Sequence, residues 1–189
     1  MKLKEKLDIL SLLYSRPDDF IKEKILDGSL GEMLETAFPL TSFEEFKDES
    51  YRKSLEEKIS KDYLYLFVGV SSPLASPYES SYYRKDSHLM EKPARDMIKI
   101  MKKWGLDFEE DYKDLPDHIR AKLAVISLLL DHKDQVQEDV LKVEIDKDIK
   151  MLTKNMAWLE AFKEKISAGE EISFYSKIAQ ATIDTLKEL

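Results

Sequence analysis

The sequence predicts an all-α chain, a helical bundle built as a single domain over residues 1–189. Three observations carry that expectation. Apolar residues recur at helical spacing along most of the chain. The five glycines and six prolines fall mostly where such runs begin or end. Only one short stretch has a strand-like composition, and a lone strand has no partner for its backbone polar groups. With 43 % hydrophobic and 36 % charged residues, 189 residues suffice for one well-packed core and are short for two.

In chain order, Leu3, Leu7, Leu10 and Tyr14 form the first helical stripe, widened by Ile9, Leu12 and Leu13. Pro17 opens a second helix, with Asp18 and Asp19 in its first turn, where the helix dipole favours anions. Gly28 ends it. A short helix around Leu30–Phe38 stops at Pro39, and Ser42 with Glu45 three residues on has the pattern of a capping box. A long helix is expected from about Glu49 to Val68, with Leu55, Ile59, Tyr63, Leu66 and Phe67 on one side. Its end, Tyr63–Val70, is the strand-like stretch, rich in aromatic and β-branched residues.

The segment 69–92 breaks the pattern. It holds Pro73, Pro77, six serines and Tyr78, Tyr82 and Tyr83, without a clear period. A connection of that length is usually functional or disordered, and its aromatic content argues for packing. It is also long enough to allow a homodimer by exchange of helices between protomers. Pro93 restarts a helix through Ile98, Met101 and Trp104, and Gly105 caps it. An acidic run, Asp107–Asp114, leads to Pro116, Asp117 and His118. From there to Leu130 the chain is apolar over most of its circumference, as in a central buried helix. Two further helices, about 134–167 and 170–188, complete the bundle.

Composition excludes several function classes. The net charge of −8 repels nucleic-acid phosphate and anionic lipid, and lysines interleave with acids, leaving no basic patch. Neither a nucleic-acid partner nor membrane insertion is expected. There are no cysteines for disulfides or thiolate metal sites. The start, Met1 to Asp8, has charges among its apolar positions and no uninterrupted hydrophobic run, so cytoplasmic residence is expected.

Catalytic constellations are missing too. Neither of the familiar phosphate-cradling glycine patterns occurs, and there is no Gly-x-Ser-x-Gly elbow. His118 and His132 lie fourteen residues apart on one expected helix, roughly 21 Å at about 1.5 Å per residue, so they cannot share a metal. Glu109 and Glu110 read as solvated loop charge. No catalytic residue and no metal site is expected.

Two local signals remain. One is Tyr63-x-x-Leu66-Phe67, followed by Pro77-Tyr78-Glu79-Ser80-Ser81-Tyr82; the other is Pro116-Asp117-His118-Ile119 at the mouth of the buried helix. Physically, Pro116 sets the helix start, Asp117 sits in its first turn, and His118 is held beside that carboxylate, which favours the charged ring. Spacing alone favours a plainer reading, a capped helix start bonded to a passing loop, with Tyr63, Phe67, Tyr78 and Tyr82 as ordinary core aromatics.

The order of these motifs resembles the TorD/DmsD/NarJ family, the cytosolic chaperones of molybdenum-cofactor oxidoreductases. The order comprises Tyr-x-x-Leu-Phe, Pro-x-Glu-Ser-x-Tyr, a helix ending in Gly, an acidic stretch and Pro-Asp-His. The resemblance runs from about Leu10 to Leu130 and implies a helical bundle of that family's type. It further implies binding of the twin-arginine signal, or a related N-terminal segment, of a molybdoenzyme catalytic subunit, assisting cofactor insertion and assembly before export. The family's recognition region maps onto Pro77, Glu79, Ser80, Tyr82, Pro116, Asp117 and His118, supported by Tyr63, Leu66, Phe67 and Leu123. Carboxylates at Glu79, Asp117 and 107–114 beside a Tyr/Pro/Leu surface suit guanidinium groups followed by an apolar segment.

The resemblance implies no resident cofactor and no ligand to the molybdenum cofactor; guanine nucleotide is at most a weak regulatory ligand. Two departures stand out. Lys122 precedes Leu123 where family members often carry glutamate, and the loop holds tyrosines where some members have tryptophan. Outside the family, the competing expectations are a generic helical adaptor for a basic or amphipathic segment and a nucleotide-responsive enzyme.

Overall fold

The computed structural model describes residues 1–84, 89–110, 112–155 and 157–189. The helices run in the order α1 (Leu3–Leu13), α2 (Asp19–Leu26), α3 (Ser29–Ala37), α4 (Glu49–Tyr63), α5 (Lys92–Lys103), α6 (Ile119–Gln135), α7 (Asp139–Thr153), α8 (Ala157–Gly169) and α9 (Phe174–Leu186). No strand occurs among the described residues; the one extended pairing is an isolated antiparallel bridge between Tyr78 and His118.

The core forms where the apolar stripes meet. Helix α1 turns Leu7, Leu10 and Leu13 inward and packs along α6, whose Ile119, Leu123, Val125, Ile126 and Leu129 are buried. Helix α9 is buried nearly all round, with Phe174, Tyr175, Ile178, Ala179 and Ile183 inside, and rests on α1 and α8. Two polar ties fix the α1–α6 register: Ser11 Oγ donates to the Arg120 carbonyl at 3.0 Å, and Ser127 Oγ donates to Asp8. No helix among the described residues is long and apolar enough to cross a membrane.

Several expected boundaries shift, each for a local reason. Pro17 lies outside α2, because Asp18 is the cap, accepting the Ile21 amide at 2.9 Å. The Ser42–Glu45 pattern gives no capping box; it yields a 3-10 turn, Glu44–Lys47, and Glu45 pairs instead with Lys177. The helix expected over 49–68 is α-helical only to Tyr63, and Leu64–Val68 continue as a π-helical turn. Gly69 closes that turn at φ +65°, and an added Cβ would run into the Ser72 carbonyl, so only glycine fits. The span 134–167 is not one helix. Helix α6 extends to Gln135, Val136 is extended, and α7 and α8 are separated around Lys154 and Asn155.

Candidate functional site

The segment after the π-helical turn is exposed over 70–72 and packs from Ala75 through Tyr82. The Ala75 amide bonds to the Leu66 carbonyl at 2.8 Å, and a 3-10 turn spans Glu79–Tyr82. Residues 85–88 of the 69–92 connection, His88 among them, lie outside the described residues, as does Asp111 of the acidic run.

The two sequence signals come together by backbone pairing. The Glu79 amide donates to the Asp117 carbonyl at 3.2 Å, and the Ile119 amide donates to the Pro77 carbonyl at 2.8 Å. Side chains extend the stitch. Asp117 is fully buried, and its Oδ2 accepts the Ser80 amide at 2.7 Å; Oδ1 has no hydrogen-bond partner. Tyr78 donates to Asp114 at 3.1 Å and meets the His118 ring edge-on at 5.1 Å. Ser80 Oγ accepts the Glu91 amide at 3.1 Å, tying the segment to the start of α5.

His118, not Pro116, sets the helix start. Helix α6 opens at Ile119, and His118 Nδ1 accepts the Arg120 amide at 3.1 Å in the role usually filled by Ser or Asp. Pro116 and Asp117 precede the helix, so Asp117 serves the loop rather than the first turn. The expected charged imidazole is also corrected. Burial pulls the His118 pKa down to about 4, opposed by the Asp114 carboxylate. A ring accepting at Nδ1 is neutral at pH 7.

Glu79 is buried as well, ion-paired with the equally buried Lys122 and within 3.5 Å of the Asn155 amide. The Lys122 ammonium lies 5.7 Å from the centre of the Trp158 ring. Burial pushes the Lys122 pKa down; a carboxylate in direct contact offsets that cost of desolvating the ammonium. Trp158 in turn packs on Tyr82 at 5.6 Å, so a tryptophan does border the region, supplied by α8.

Tyr63 and Phe67 belong to an aromatic cluster with Tyr14, Phe162 and Tyr175. Within it Phe67 stands 5.7 Å from Phe162, which stands 6.4 Å from Tyr82. They back the corner through Phe162. Leu66 and Leu123 are buried core residues.

The accessible surface lies one step away. A cavity of about 260 Å³ opens between Ser11 of α1, helix α6, the stretch 106–109 and Tyr112, floored by Met101, Leu106, Phe108, Tyr112, Val125 and Leu128. Asp107 and Glu109 border it, and the Arg120 guanidinium sits 4.9 Å over the Tyr112 ring. Phe108 stacks flat on Tyr112 at 4.3 Å. Leu128 is half exposed there. Among the described residues no group of three or more His, Asp or Glu is arranged to hold a metal ion.

A family model described as the nitrate reductase delta subunit matches residues 27–164, most of the chain. The chain belongs to the TorD/DmsD/NarJ family of maturation chaperones. Among curated relatives, the chaperone protein TorD of Vibrio parahaemolyticus is 26 % identical over 134 residues, covering 70 % of this chain and 62 % of that protein. DmsD of Haemophilus influenzae, by name a Tat proofreading chaperone, is 22 % identical over 136 residues, covering 72 % and 62 %. The match thus spans less than two thirds of either relative. A solved structure of a candidate redox enzyme maturation protein from Archaeoglobus fulgidus shares the fold, with a TM-score of 0.61 at 20 % identity over 99 % of this chain and 95 % of that one.

The residues that motif order missed are Lys122, Asn155 and Trp158. Lys122 was visible only as an unexpected cation. A lysine inside an otherwise apolar helix is a signal for a buried partner, but nothing in the spacing identifies Glu79.

Proposed function

We propose that this chain is a maturation chaperone for a molybdenum-cofactor oxidoreductase, holding the twin-arginine or related N-terminal segment of the catalytic subunit while cofactor is inserted. The observation that carries this reading is the apolar groove bordered by Asp107 and Glu109, whose Arg120 donates its backbone amide to His118 of the stitched corner. Such a groove suits a short apolar helix or extended segment. The flanking carboxylates suit the guanidinium groups that precede it. Family membership and relatives named as chaperones support the same reading.

Under this reading the chain's residues bind and position rather than transform. The buried network of Glu79, Ser80, Asp117 and His118 shapes the corner, while Phe108, Tyr112 and Leu128 make the apolar contact. Purification of the tagged chain from its native cell, with mass spectrometry of bound proteins, tests the client class. Enrichment of a molybdenum-cofactor oxidoreductase subunit is expected. Enrichment that disappears when the client's N-terminal segment is deleted would localise the contact. Recovery of no such subunit, at native expression and under conditions that induce the enzyme, would sink the proposal.

A further inference from the structure

The groove beside α6 has two chemically different ends. Helix α6 lines it with Arg120, Ala121, Ala124, Val125 and Leu128, one face over two turns and about 12 Å long at 1.5 Å per residue. The stretch after α5 runs the opposite way along it. Leu106 lies with Leu128, since the two also border a second cavity of about 170 Å³, whereas Tyr112 lies under the Arg120 guanidinium.

Charge follows the same axis. Among the described residues that line the groove, Arg120 is the one cation, and it stands in the first turn of α6. There the helix dipole opposes a positive charge, so the stability of α6 does not account for it. Its guanidinium is engaged by one face on Tyr112; among the described residues it forms no ion pair and donates no side-chain hydrogen bond. Asp114, the carboxylate near Tyr112, accepts the Tyr78 hydroxyl and does not line the groove. Asp107 adjoins Leu106 at the other end, with Glu109 following, and neither is ion-paired among the described residues. Asp131 also lies at the Leu128 end but is paired with Lys4 at 3.6 Å, which leaves Asp107 and Glu109 as the free negative charge.

We infer that the groove accepts its client segment in one direction only, with Arg120 as the residue that sets it. The client's arginines lie at the Leu106–Leu128 end, on Asp107 and Glu109, and the apolar stretch runs over Val125 to Tyr112. This rests on the client-binding reading above and deepens it by assigning the polarity of the bound segment. Two effects of Arg120 support it. Its charge repels guanidinium groups from the Tyr112 end, as like charges brought together across an interface oppose the wrong register. Its unused N–H edge can donate to a main-chain carbonyl where the apolar stretch ends. The span fits a short segment, about four residues if extended or about eight if helical.

The test uses the full chain and a synthetic peptide with two adjacent arginines followed by eight apolar residues. A benzophenone is placed either just before the arginines or after the last apolar residue, and the photo-crosslinked sites are mapped by mass spectrometry. The probe beside the arginines should label Leu106 and 128–132 about tenfold more than Tyr112 and Arg120. The probe at the far end should show the reverse. In Arg120→Glu both ends are acidic, and each preference should fall several-fold; a glutamate in the first turn suits the helix dipole, so α6 is retained. A role for Arg120 confined to packing on Tyr112 would change stability without moving the crosslinks.

Binding with the arginine-side probe at Tyr112, with both ends labelled equally in the parent, or with an unchanged pattern in a folded Arg120→Glu overturns the inference and leaves the client reading intact. No saturable binding of either peptide by the parent overturns both. The parent's own labelling pattern decides the direction even if Arg120→Glu fails to fold.

Discussion

At the scale of single residues, the corner is held by groups that have left water, and their removal has definite costs. Asp117 is completely buried and accepts the Ser80 amide. Asp117→Ala should lower stability by about 1.5–3 kcal/mol in urea titrations, the range for hydrogen bonds to charged groups. Asp117→Asn keeps an acceptor and should cost less. Helical content by circular dichroism should be unchanged in both, because the lost bond anchors a loop, and peptide binding should weaken. An Asp117→Ala chain as stable as the parent would mean the Ser80 contact contributes nothing.

His118 makes a second residue-scale prediction. Its folded pKa of about 4 lies below the ordinary value of 6.5, so the unfolded chain takes up a proton first as pH falls. The contribution is therefore fully present above pH 6.5 and is lost progressively between 6.5 and 4. At about 1.4 kcal/mol per pH unit, the maximum loss is about 3.5 kcal/mol. His118→Asn, which can still cap α6, should flatten the parent's stability curve over that window. Identical slopes for parent and variant would contradict it.

At the scale of elements, helices were legible from apolar spacing because burial of one face dictates it. The boundaries were legible only where a local residue enforces them. Gly28 and Gly105 adopt positive φ and mark their ends correctly. The break between α7 and α8 carries neither glycine nor proline, and Lys154 and Asn155 have no unusual composition, so the span read as continuous. The π-helical turn likewise leaves no signature. It widens the helix by one residue per turn, which aromatic and β-branched residues fit as readily as a helix end. Gly69→Ala probes that element. Strain at positive φ and the collision with the Ser72 carbonyl should cost about 1–3 kcal/mol. Faster amide exchange should be confined to 66–75 and the π-helical turn. Loss of protection throughout α6 and α9 would show that the turn is coupled to the core instead.

At the scale of the whole molecule, the site joins parts of the chain distant in sequence. Pro77–Tyr82 and Pro116–His118 were legible as motifs, but their pairing through Pro77, Glu79, Asp117 and Ile119 was not, since a single bridge has no periodicity. Glu79 and Asp117 looked like open arginine receptors in the sequence. In the fold both are buried and already bonded, and exposed carboxylate is offered by Asp107 and Glu109 instead. Lys122, read as a departure from pattern, is the cation that Glu79 holds.

The central claim is that the groove formed by α6, Ser11 and the stretch 106–109 receives a client segment in which arginines precede an apolar stretch. The most direct measurement is calorimetric titration of such a peptide onto the parent, a Phe108→Ala/Leu128→Ser chain, and a Val140→Ser control on exposed α7. Saturable one-to-one binding is expected for parent and control. The groove variant should bind about tenfold more weakly, as for loss of central apolar anchors. Equal affinity in all three chains, or no binding by the parent, would contradict it.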